Sequence, residues 1–184
     1  VFVFYDKDGI ADDYNFYFLS ELKKEVESLL VICNGGVSED GKQRFEEIAD
    51  EVMLRPNEGF DITAYNIGLS KIDYNSNGEY DEVLVCNSTM FGPFYPFGEM
   101  FNAMKEKNLD FWGITNFHEV PFDPFGTVEY GYLPKHVQSF FMVFRKSLTE
   151  KNDFKEYWIN MPVIDSYEKA IGYHEAIFTK KFAE

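Results

Sequence analysis

Apolar, β-branched and aromatic residues gather in runs of strand length along the chain, and polar or glycine-bearing segments separate these runs. Runs of this length and composition are typical of β-strands. They predict strands at residues 1–5, 29–33, 51–54, 82–86, 111–114 and 137–144.

The segments between these runs repeat apolar residues at helical spacing, often behind residues that favour helix N-termini. Such segments predict amphipathic helices. The first helix follows Asp12 and Asp13 and has apolar residues at 18, 22, 26 and 29, and the second begins at residues 38–40 with Phe45 and Ile48 facing inward. The third runs from Asp61, as N-cap, through Leu69, and the fourth carries the apolar stripe Phe97, Met100, Phe101 and Met104. The fifth covers residues 154–159, and one last long helix begins at the capping-box-like Asp165-x-x-Glu168.

Strands that alternate with helices and read as continuous apolar runs favour a parallel sheet covered on both faces. The predicted fold class is therefore α/β, with a mainly parallel central sheet. Such sheets bind ligands at the carboxyl ends of their strands, so we expect Asn34, Asn57 and Asn87 to lie at one edge. The functional candidates are the residues that directly follow the strands, namely 6–8, 34–36, 55–59, 87–89 and 115–116.

Two segments between the predicted elements differ in character. Residues 116–134 contain three prolines and two glycines among aromatic residues, and this length predicts a functional loop. Residues 73–79 contain the sequence NSNG and predict a solvated turn.

Composition narrows the class of protein. The chain has 184 residues, a net charge of -15 and a sequence pI near 4.6, which argues against a nucleic-acid binder. Its 45% hydrophobic and 18% aromatic content predicts a folded chain, and the length predicts a single domain over residues 1–184. No run is long enough for a membrane span or a signal peptide. Because the chain opens on VFVF without Met, we expect it to be part of a longer protein.

The two cysteines, Cys33 and Cys86, each lie in an apolar run, which predicts buried core thiols, with a disulfide as the alternative. Cysteine usage this sparse indicates a reducing, cytosolic compartment.

Common catalytic motifs are absent from the sequence. It has no GxxxxGK[ST] or GxGxxG phosphate-binding loop and no GxSxG nucleophile elbow. His118, His136 and His174 do not have metal-ligand spacing, which favours structural roles. The strand ends instead offer amides, carboxamides, hydroxyls and a few acids, groups that suit a sugar or a nucleotide.

Taken in order, several of these segments resemble the rhamnan synthesis protein F family. The resemblance is carried by residues 5–9 (YDKDG), 31–35 (VICNG), 55–61 (RPNEGFD) with 64–65 (AY), 87–93 (NSTMFGP), 110–115 (DFWGIT), 138–140 (QSF) and 173–175 (YHE). It implies a glycosyltransferase of the GT-A fold, with a Rossmann-like nucleotide-sugar half joined to an acceptor half. It also implies transfer of rhamnose from dTDP-L-rhamnose to a glycan or lipid-linked glycan acceptor of a bacterial surface polysaccharide, in the cytoplasm at the inner face of the membrane.

The resemblance also implies a set of donor-binding residues. For two of them the sequence leaves an alternative open, since Asp61 also suits a helix N-cap and Asn34 a turn beside two glycines. Gly59 would allow close approach of the backbone to the nucleotide. The full set is Asp6, Asn34, Arg55, Asn57, Gly59, Asp61, Tyr65, Asn87, Ser88, Thr89 and Gln138.

Asn87-Ser88-Thr89 stands where many such transferases carry an Asp-x-Asp motif that binds a divalent cation. Hard cations prefer carboxylate oxygens, so Mg²⁺ or Mn²⁺ has only weak support as a cofactor and no metal ligand is predicted. The hydroxyls of Ser88 and Thr89 suit direct hydrogen bonds to phosphate or sugar. The missing acids also favour an alternative function, a non-catalytic domain that binds a nucleotide sugar or glycan and assists a neighbouring transferase.

Inverting glycosyl transfer needs a carboxylate to accept the proton of the attacking hydroxyl. Glu175 is the candidate base, since the resemblance places an acidic residue near the last helix, and a solvated helix acid is the alternative. Glu119 and Asp123 in the aromatic loop are the next candidates. The loop aromatics suit stacking against sugars or contact with a lipid-linked acceptor. They are Phe117, Phe122, Phe125, Tyr130 and Tyr132.

Overall fold

The computed structural model describes residues 1–71 and 80–183, so the turn predicted over residues 73–79 lies outside the described residues. The strands are β1 (Phe2–Phe4), β2 (Leu30–Asn34), β3 (Glu51–Arg55), β4 (Glu82–Asn87), β5 (Phe111–Gly113), β6 (Asn116–Phe117), β7 (His136–Val137) and β8 (Phe141–Arg145). The helices are α1 (Asp13–Leu22), α2 (Glu39–Ile48), α3 (Phe60–Lys71), α4 (Phe97–Lys105), α5 (Lys146–Thr149), α6 (Asn152–Ile159), α7 (Tyr167–Ala170) and α8 (Ala176–Phe182), with a π-helical turn (Ile171–Glu175) between the last two.

Six of these strands form a mainly parallel central sheet in the order β3-β2-β1-β4-β8-β5. β2 pairs in parallel with β1 and β3, whereas β8 is antiparallel to both β4 and β5. The predicted α/β class with a mainly parallel sheet and flanking helices is therefore confirmed. Among the described residues, no helix is long and apolar enough to cross a membrane.

The chain divides into two compact units, and unit 1 consists of Val1–Asn57 and Asn87–Leu109. Aromatic residues of β1 pack against the helices of this unit. Phe2 lies 5.8 Å from Phe18 of α1, and Phe4 lies 5.2 Å from Phe45 of α2, measured between ring centroids. α2 begins within the predicted residues 38–40, and Ser38 is its N-cap, because the Ser38 hydroxyl accepts a hydrogen bond from the Gly41 amide.

Unit 2 consists of Glu58–Cys86 and Asp110–Glu184. Its core is an aromatic cluster in which Phe144 of β8 contacts Phe154 and Trp158 of α6 and Phe178 of α8. These four side chains are buried, so the cluster fixes α6 and α8 on their side of β8.

Three predicted helix boundaries are wrong. α1 ends at Leu22 rather than near Leu29, because the Leu29 amide donates to the Asp50 carboxylate at 2.7 Å and leads into β2. α3 begins at Phe60, so Asp61 lies in its first turn and is not the N-cap. The last helix is not one long α-helix, since a π-helical turn interrupts it, and Ser166 rather than Asp165 caps its start.

The strand predicted over residues 137–144 is also wrong in one respect, because the chain breaks there into β7 and β8. The amide of Val137 donates to the hydroxyl of Thr179 at 2.8 Å, and the amide of Ser139 donates to the carboxylate of Glu175 at 2.9 Å. Side chains of the C-terminal segment therefore accept hydrogen bonds from backbone amides that, in a continuous strand, would bond to a neighbouring strand.

The cysteine prediction is confirmed, since Cys33 and Cys86 are both free and buried. Burial raises the pKa of each thiol to about 12. Both therefore act as small core side chains rather than as reactive thiols.

Candidate functional site

The residues that follow the strands of unit 1 meet at one edge. Asn34 is in register with Arg55, and the Gly35 amide donates to the Arg55 carbonyl at 2.8 Å. The Ser88 amide donates to the Val3 carbonyl of β1 at 3.0 Å, which places Asn87-Ser88-Thr89 beside the end of β1. The prediction that Asn34, Asn57 and Asn87 share an edge is thus confirmed, since Asn57 lies two residues after the end of β3, beside Gly35.

The central contact of this edge joins Arg55 to Asn34. Nη1 of Arg55 donates a hydrogen bond to Oδ1 of Asn34, whose side chain is fully buried. The amide thereby fixes the position of the guanidinium, which is only half-buried. A guanidinium held in this way presents planar N–H donors that suit carbonyl or phosphate oxygens.

Asn87, Ser88 and Thr89 bond mainly to one another and to the neighbouring backbone. Oδ1 of Asn87 accepts hydrogen bonds from the amide of Thr89 at 3.1 Å and from its hydroxyl at 2.6 Å. The Ser88 hydroxyl is buried and accepts a bond from the Tyr5 amide at 3.3 Å. Ser88 therefore holds β1 in place, and Thr89 is the exposed hydroxyl of the trio.

Asp6 organises the turn after β1. One oxygen of its carboxylate accepts hydrogen bonds from the amides of Asp8 and Ile10, each at 2.9 Å. Both hydrogen bonds lower the pKa of Asp6, and the bond from the Ile10 amide has the larger effect. The carboxylate is therefore ionised at neutral pH and bonded to its own loop.

Gly59, Asp61 and Tyr65 lie at the start of α3 in unit 2. Gly59 has a φ of +73°, and a Cβ at this position would overlap Oγ1 of Thr63 and lie 2.7 Å from its Cβ. The helix itself therefore requires glycine here. Asp61 is half-buried, whereas the Tyr65 ring is fully buried and belongs to the core of unit 2.

In unit 2, the carboxylate of Glu175 is held by three groups. Its Oε2 accepts hydrogen bonds from the amide of Ser139, at 2.9 Å, and from the Ser139 hydroxyl. Its Oε1 lies 3.6 Å from Nε2 of His136. His136 is buried, and its Nδ1–H donates to the carbonyl oxygen of Pro134 at 2.7 Å, so Nε2 is the ring atom that faces the carboxylate.

Opposing effects set the pKa of Glu175. Burial alone would raise it, but the nearby His136 imidazole and the hydrogen bonds from Ser139 outweigh burial and lower the pKa below its ordinary value of 4.5. Glu175 is therefore an ionised, oriented carboxylate with a side chain 19% exposed, and not a solvated helix acid. His136 and Ser139 were missed as partners of Glu175, because only the split between β7 and β8 brings them to it.

Its neighbour His174 has a different role. Burial lowers the pKa of His174 to about 3, so the imidazole is neutral over the ordinary pH range. Its Nδ1 shares a hydrogen bond of 2.6 Å with the hydroxyl of Tyr157. The predicted structural role of His174 fits this contact.

The family model of rhamnan synthesis protein F matches residues 29–184, which is most of the chain. The chain belongs to the rhamnan synthesis protein F family. A curated relative is uncharacterized protein y4gN of Sinorhizobium fredii, 22% identical over 184 residues, which are 99% of this chain and 45% of that protein. The chain thus spans about half the length of this relative. Among solved structures, it is similar to Core-mannan synthase A (CmsA/Ktr4) from Aspergillus fumigatus in the Mn/GDP form, with 11% identity, a TM-score of 0.41, and coverage of 95% of this chain and 65% of that chain.

A hard divalent cation does not suit the donor groups that the described residues offer. Among residues 1–71 and 80–183, no group of three or more His, Cys, Asp or Glu side chains is placed to hold a metal ion. Asn87-Ser88-Thr89 is neutral, and Oδ1 of Asn87 is already bonded to Thr89. Mg²⁺ and Mn²⁺ prefer carboxylate oxygens, which this trio lacks.

The remaining candidates are spread over unit 2. Gln138 accepts a hydrogen bond from the Thr115 hydroxyl at 2.9 Å, which links the segments next to β5 and β7. Glu119 is exposed. Asp123 accepts bonds from the amides of Phe125 and Val128, and although burial acts to raise its pKa, these bonds lower it. Asp123 thus fixes the loop.

The loop over residues 116–134 is more ordered than its composition indicates. Phe117, Phe125 and Tyr130 pack against a small core formed by Val128, Leu133 and Ala176. Phe122 is the loop aromatic that lies mostly in solvent, with 59% exposure. Exposed aromatic residues that the sequence analysis missed lie in unit 1 instead, namely Phe91, Phe94 and Tyr95 at 72%, 80% and 76%.

Proposed function

We propose that this chain is part of a glycosyltransferase that moves L-rhamnose from dTDP-L-rhamnose to a growing bacterial surface polysaccharide. Membership of the rhamnan synthesis protein F family supports a glycosyltransferase activity, and L-rhamnose as the transferred sugar is part of our proposal. The observation that carries the proposal is the edge of unit 1 formed by residues 34–35, 55–57 and 87–89, which we call the strand-end edge. There the buried Asn34 amide holds the Arg55 guanidinium.

In this proposal the strand-end edge receives the nucleotide part of the donor. A guanidinium supplies several N–H donors, which suit the oxygens of a diphosphate or of a pyrimidine base. Asn57 and Thr89 are exposed at the same edge and add an amide and a hydroxyl. Ligands of parallel α/β sheets bind at this position, outside the carboxyl ends of the strands.

Glu175 is the proposed base. In the transfer step, the acceptor hydroxyl attacks the anomeric carbon, and its proton passes to the Glu175 carboxylate. The bond between the anomeric carbon and the diphosphate oxygen breaks, the electron pair leaves with dTDP, and the new glycosidic bond forms with inversion. The hydrogen bonds from Ser139 and the nearby His136 imidazole support this role, since they keep the carboxylate ionised and oriented.

The acceptor in this proposal is a glycan or a lipid-linked glycan, and the reaction takes place in the cytoplasm at the inner face of the bacterial membrane. The test is incubation of the chain with dTDP-L-rhamnose and a rhamnan oligosaccharide, followed by mass spectrometry. An acceptor that gains one deoxyhexose confirms the transfer. Release of dTDP without an extended acceptor, or no reaction with a range of acceptors, contradicts it.

A second function is favoured by one observation, the neutral and mutually bonded Asn87-Ser88-Thr89. A strand-end edge without acids suits a domain that binds the nucleotide sugar and assists a neighbouring transferase. In that case dTDP-L-rhamnose binds but no acceptor is extended, so the same incubation combined with a binding measurement separates the two functions.

A further inference from the structure

Unit 2 contains a cavity of about 500 Å³ that none of the candidate site residues lines. Its walls come from the long loop (Thr127 and Glu129), α6 and the residues after it, the π-helical turn and α8. Pockets that bind small ligands have volumes of about 300–1,000 Å³, so the cavity is large enough for a short oligosaccharide.

The cavity is separate from Glu175, although both belong to the same C-terminal segment. Gly172, Tyr173 and Ile177 line the cavity. Glu175 is not among the lining residues, and its carboxylate bonds instead to Ser139 and His136. A ligand in the cavity would therefore leave the Glu175 carboxylate uncovered.

The backbone of the π-helical turn shapes one wall of the cavity. A Cβ at Gly172 would overlap Oγ1 of Thr127 and lie 2.9 Å from its carbonyl carbon, so the loop and the turn approach as closely as glycine allows. The Thr127 hydroxyl donates to the Glu168 carbonyl at 2.8 Å and fixes this contact. Interruptions of α-helices by π-helical turns occur frequently at functional sites.

The lining combines aromatic rings with hydrogen-bonding groups of both kinds. Tyr157 and Tyr173 supply rings, Asn160 an amide, and Glu129, Asp153 and Glu156 supply carboxylates. Sugar rings pack their C–H faces on aromatic side chains, while their hydroxyls donate to carboxylates and bond to amides. Among the described lining residues, three carboxylates outweigh the ammonium of Lys181, which disfavours an anionic ligand such as a nucleotide diphosphate.

We propose that this cavity, which we call the π-turn cavity, binds a neutral saccharide segment of the acceptor glycan. This inference rests on the proposed function, and it assigns acceptor binding to a place distinct from both the strand-end edge and Glu175. A saccharide is favoured over an organic cation because Nζ of Lys181 already lies 5.6 Å from the centre of the Tyr157 ring. A cation on this ring would be repelled by that ammonium, whereas a sugar hydroxyl could accept a hydrogen bond from it.

The test is a titration of the ¹⁵N-labelled chain with a neutral rhamnose trisaccharide, without nucleotide, followed by NMR. We expect chemical-shift changes at Asn160 and Tyr173. Tyr173→Ala should weaken binding about tenfold, and Glu156→Gln several-fold. Tyr167→Ala and Glu150→Gln are the matched controls, since these two exposed residues lie outside the cavity lining, and both should bind the trisaccharide like the wild type.

Several results would overturn the inference. They are the absence of shift changes at the cavity, equal weakening by the control variants, shift changes confined to Asn34 and Asn57, and displacement of the trisaccharide by spermidine. A parallel titration with dTDP-L-rhamnose tests the proposed function separately. If only the nucleotide sugar binds, the cavity inference fails; if only the trisaccharide binds at the cavity, donor binding fails.

Discussion

The carboxylate of Glu175 lies between the Ser139 amide and hydroxyl on one oxygen and the His136 imidazole on the other. Because Nδ1 of His136 is bonded to the Pro134 carbonyl, the ring cannot turn away without losing a buried hydrogen bond. The carboxylate is therefore oriented before any ligand arrives. Oriented side chains with a shifted pKa are frequent at functional sites.

Replacing Glu175 by glutamine tests its role as a base. The amide keeps the size of the side chain but cannot accept the proton of the attacking hydroxyl. We expect Glu175→Gln to lower kcat by about 10²–10⁴ while the Kd for the donor stays nearly unchanged. Steady-state kinetics and calorimetry measure the two quantities, and Glu168→Gln, at an exposed acid of α7, is the control. An unchanged kcat would move the search for the base to Glu119 and Asp123.

The depressed pKa of Glu175 predicts a pH dependence of stability. A carboxylate whose folded pKa lies below its ordinary value of 4.5 stabilises the fold at higher pH, and this contribution is lost as the pH falls through the folded pKa. The free energy of unfolding of the wild type should therefore exceed that of Glu175→Gln near neutral pH. The difference should shrink from pH about 6 to about 2. Urea unfolding of both proteins measures it, and a gap that stays constant or widens in acid would contradict the assignment.

Among the elements, strand and helix order was predictable wherever local pattern decides structure. β2 to β5 appear within a residue or so of their predicted positions, since each is a short apolar run between polar segments. The break between β7 and β8 was not predictable, because Thr179 and Glu175 take the amides of Val137 and Ser139 from across the sequence. The π-helical turn was likewise not predictable from the local sequence, since it is in contact with Thr127, which lies far away along the chain in the long loop.

Gly172→Ala tests the contact between the π-helical turn and the loop. The added Cβ would overlap the Thr127 hydroxyl and approach its backbone, so we expect a loss of about 1–3 kcal/mol in the free energy of unfolding. Gly36→Ala is a suitable control, because a Cβ there meets nothing within 4 Å. Chemical denaturation measures both variants. A Gly172→Ala protein as stable as the control would show that the turn and the loop separate at little cost.

On the scale of the whole molecule, the net charge of -15 disfavours phosphate-bearing ligands in general. A nucleotide sugar therefore needs a local positive group, and Arg55 supplies one at the strand-end edge.

The order of the site segments along the chain was enough to predict the family. The sequence did not show which of the site side chains already form hydrogen bonds within the protein. Ser88 looked available for phosphate, yet its hydroxyl is buried against the Tyr5 backbone.

Donor binding without a metal is a further expectation at this scale. Asn87-Ser88-Thr89 offers no carboxylate, so binding of dTDP-L-rhamnose should survive removal of divalent cations. Calorimetric titrations with and without EDTA should give the same Kd. Complete loss of binding in EDTA would instead mean that acids such as Asp6 or Asp61 hold a cation.

The central claim is that the Asn34–Arg55 pair holds the nucleotide sugar, and calorimetric titration of dTDP-L-rhamnose into wild-type and Arg55→Ala protein tests it most directly. Loss of a charged hydrogen-bond donor costs about 1.5–3 kcal/mol, so the variant should bind roughly 10–100-fold more weakly. Arg44→Ala is the control, because Arg44 lies on α2 and pairs with Asp13. We predict saturable binding by the wild type and Arg44→Ala, with strongly weakened binding by Arg55→Ala. No binding by the wild type, or equal affinity in all three proteins, would contradict the account.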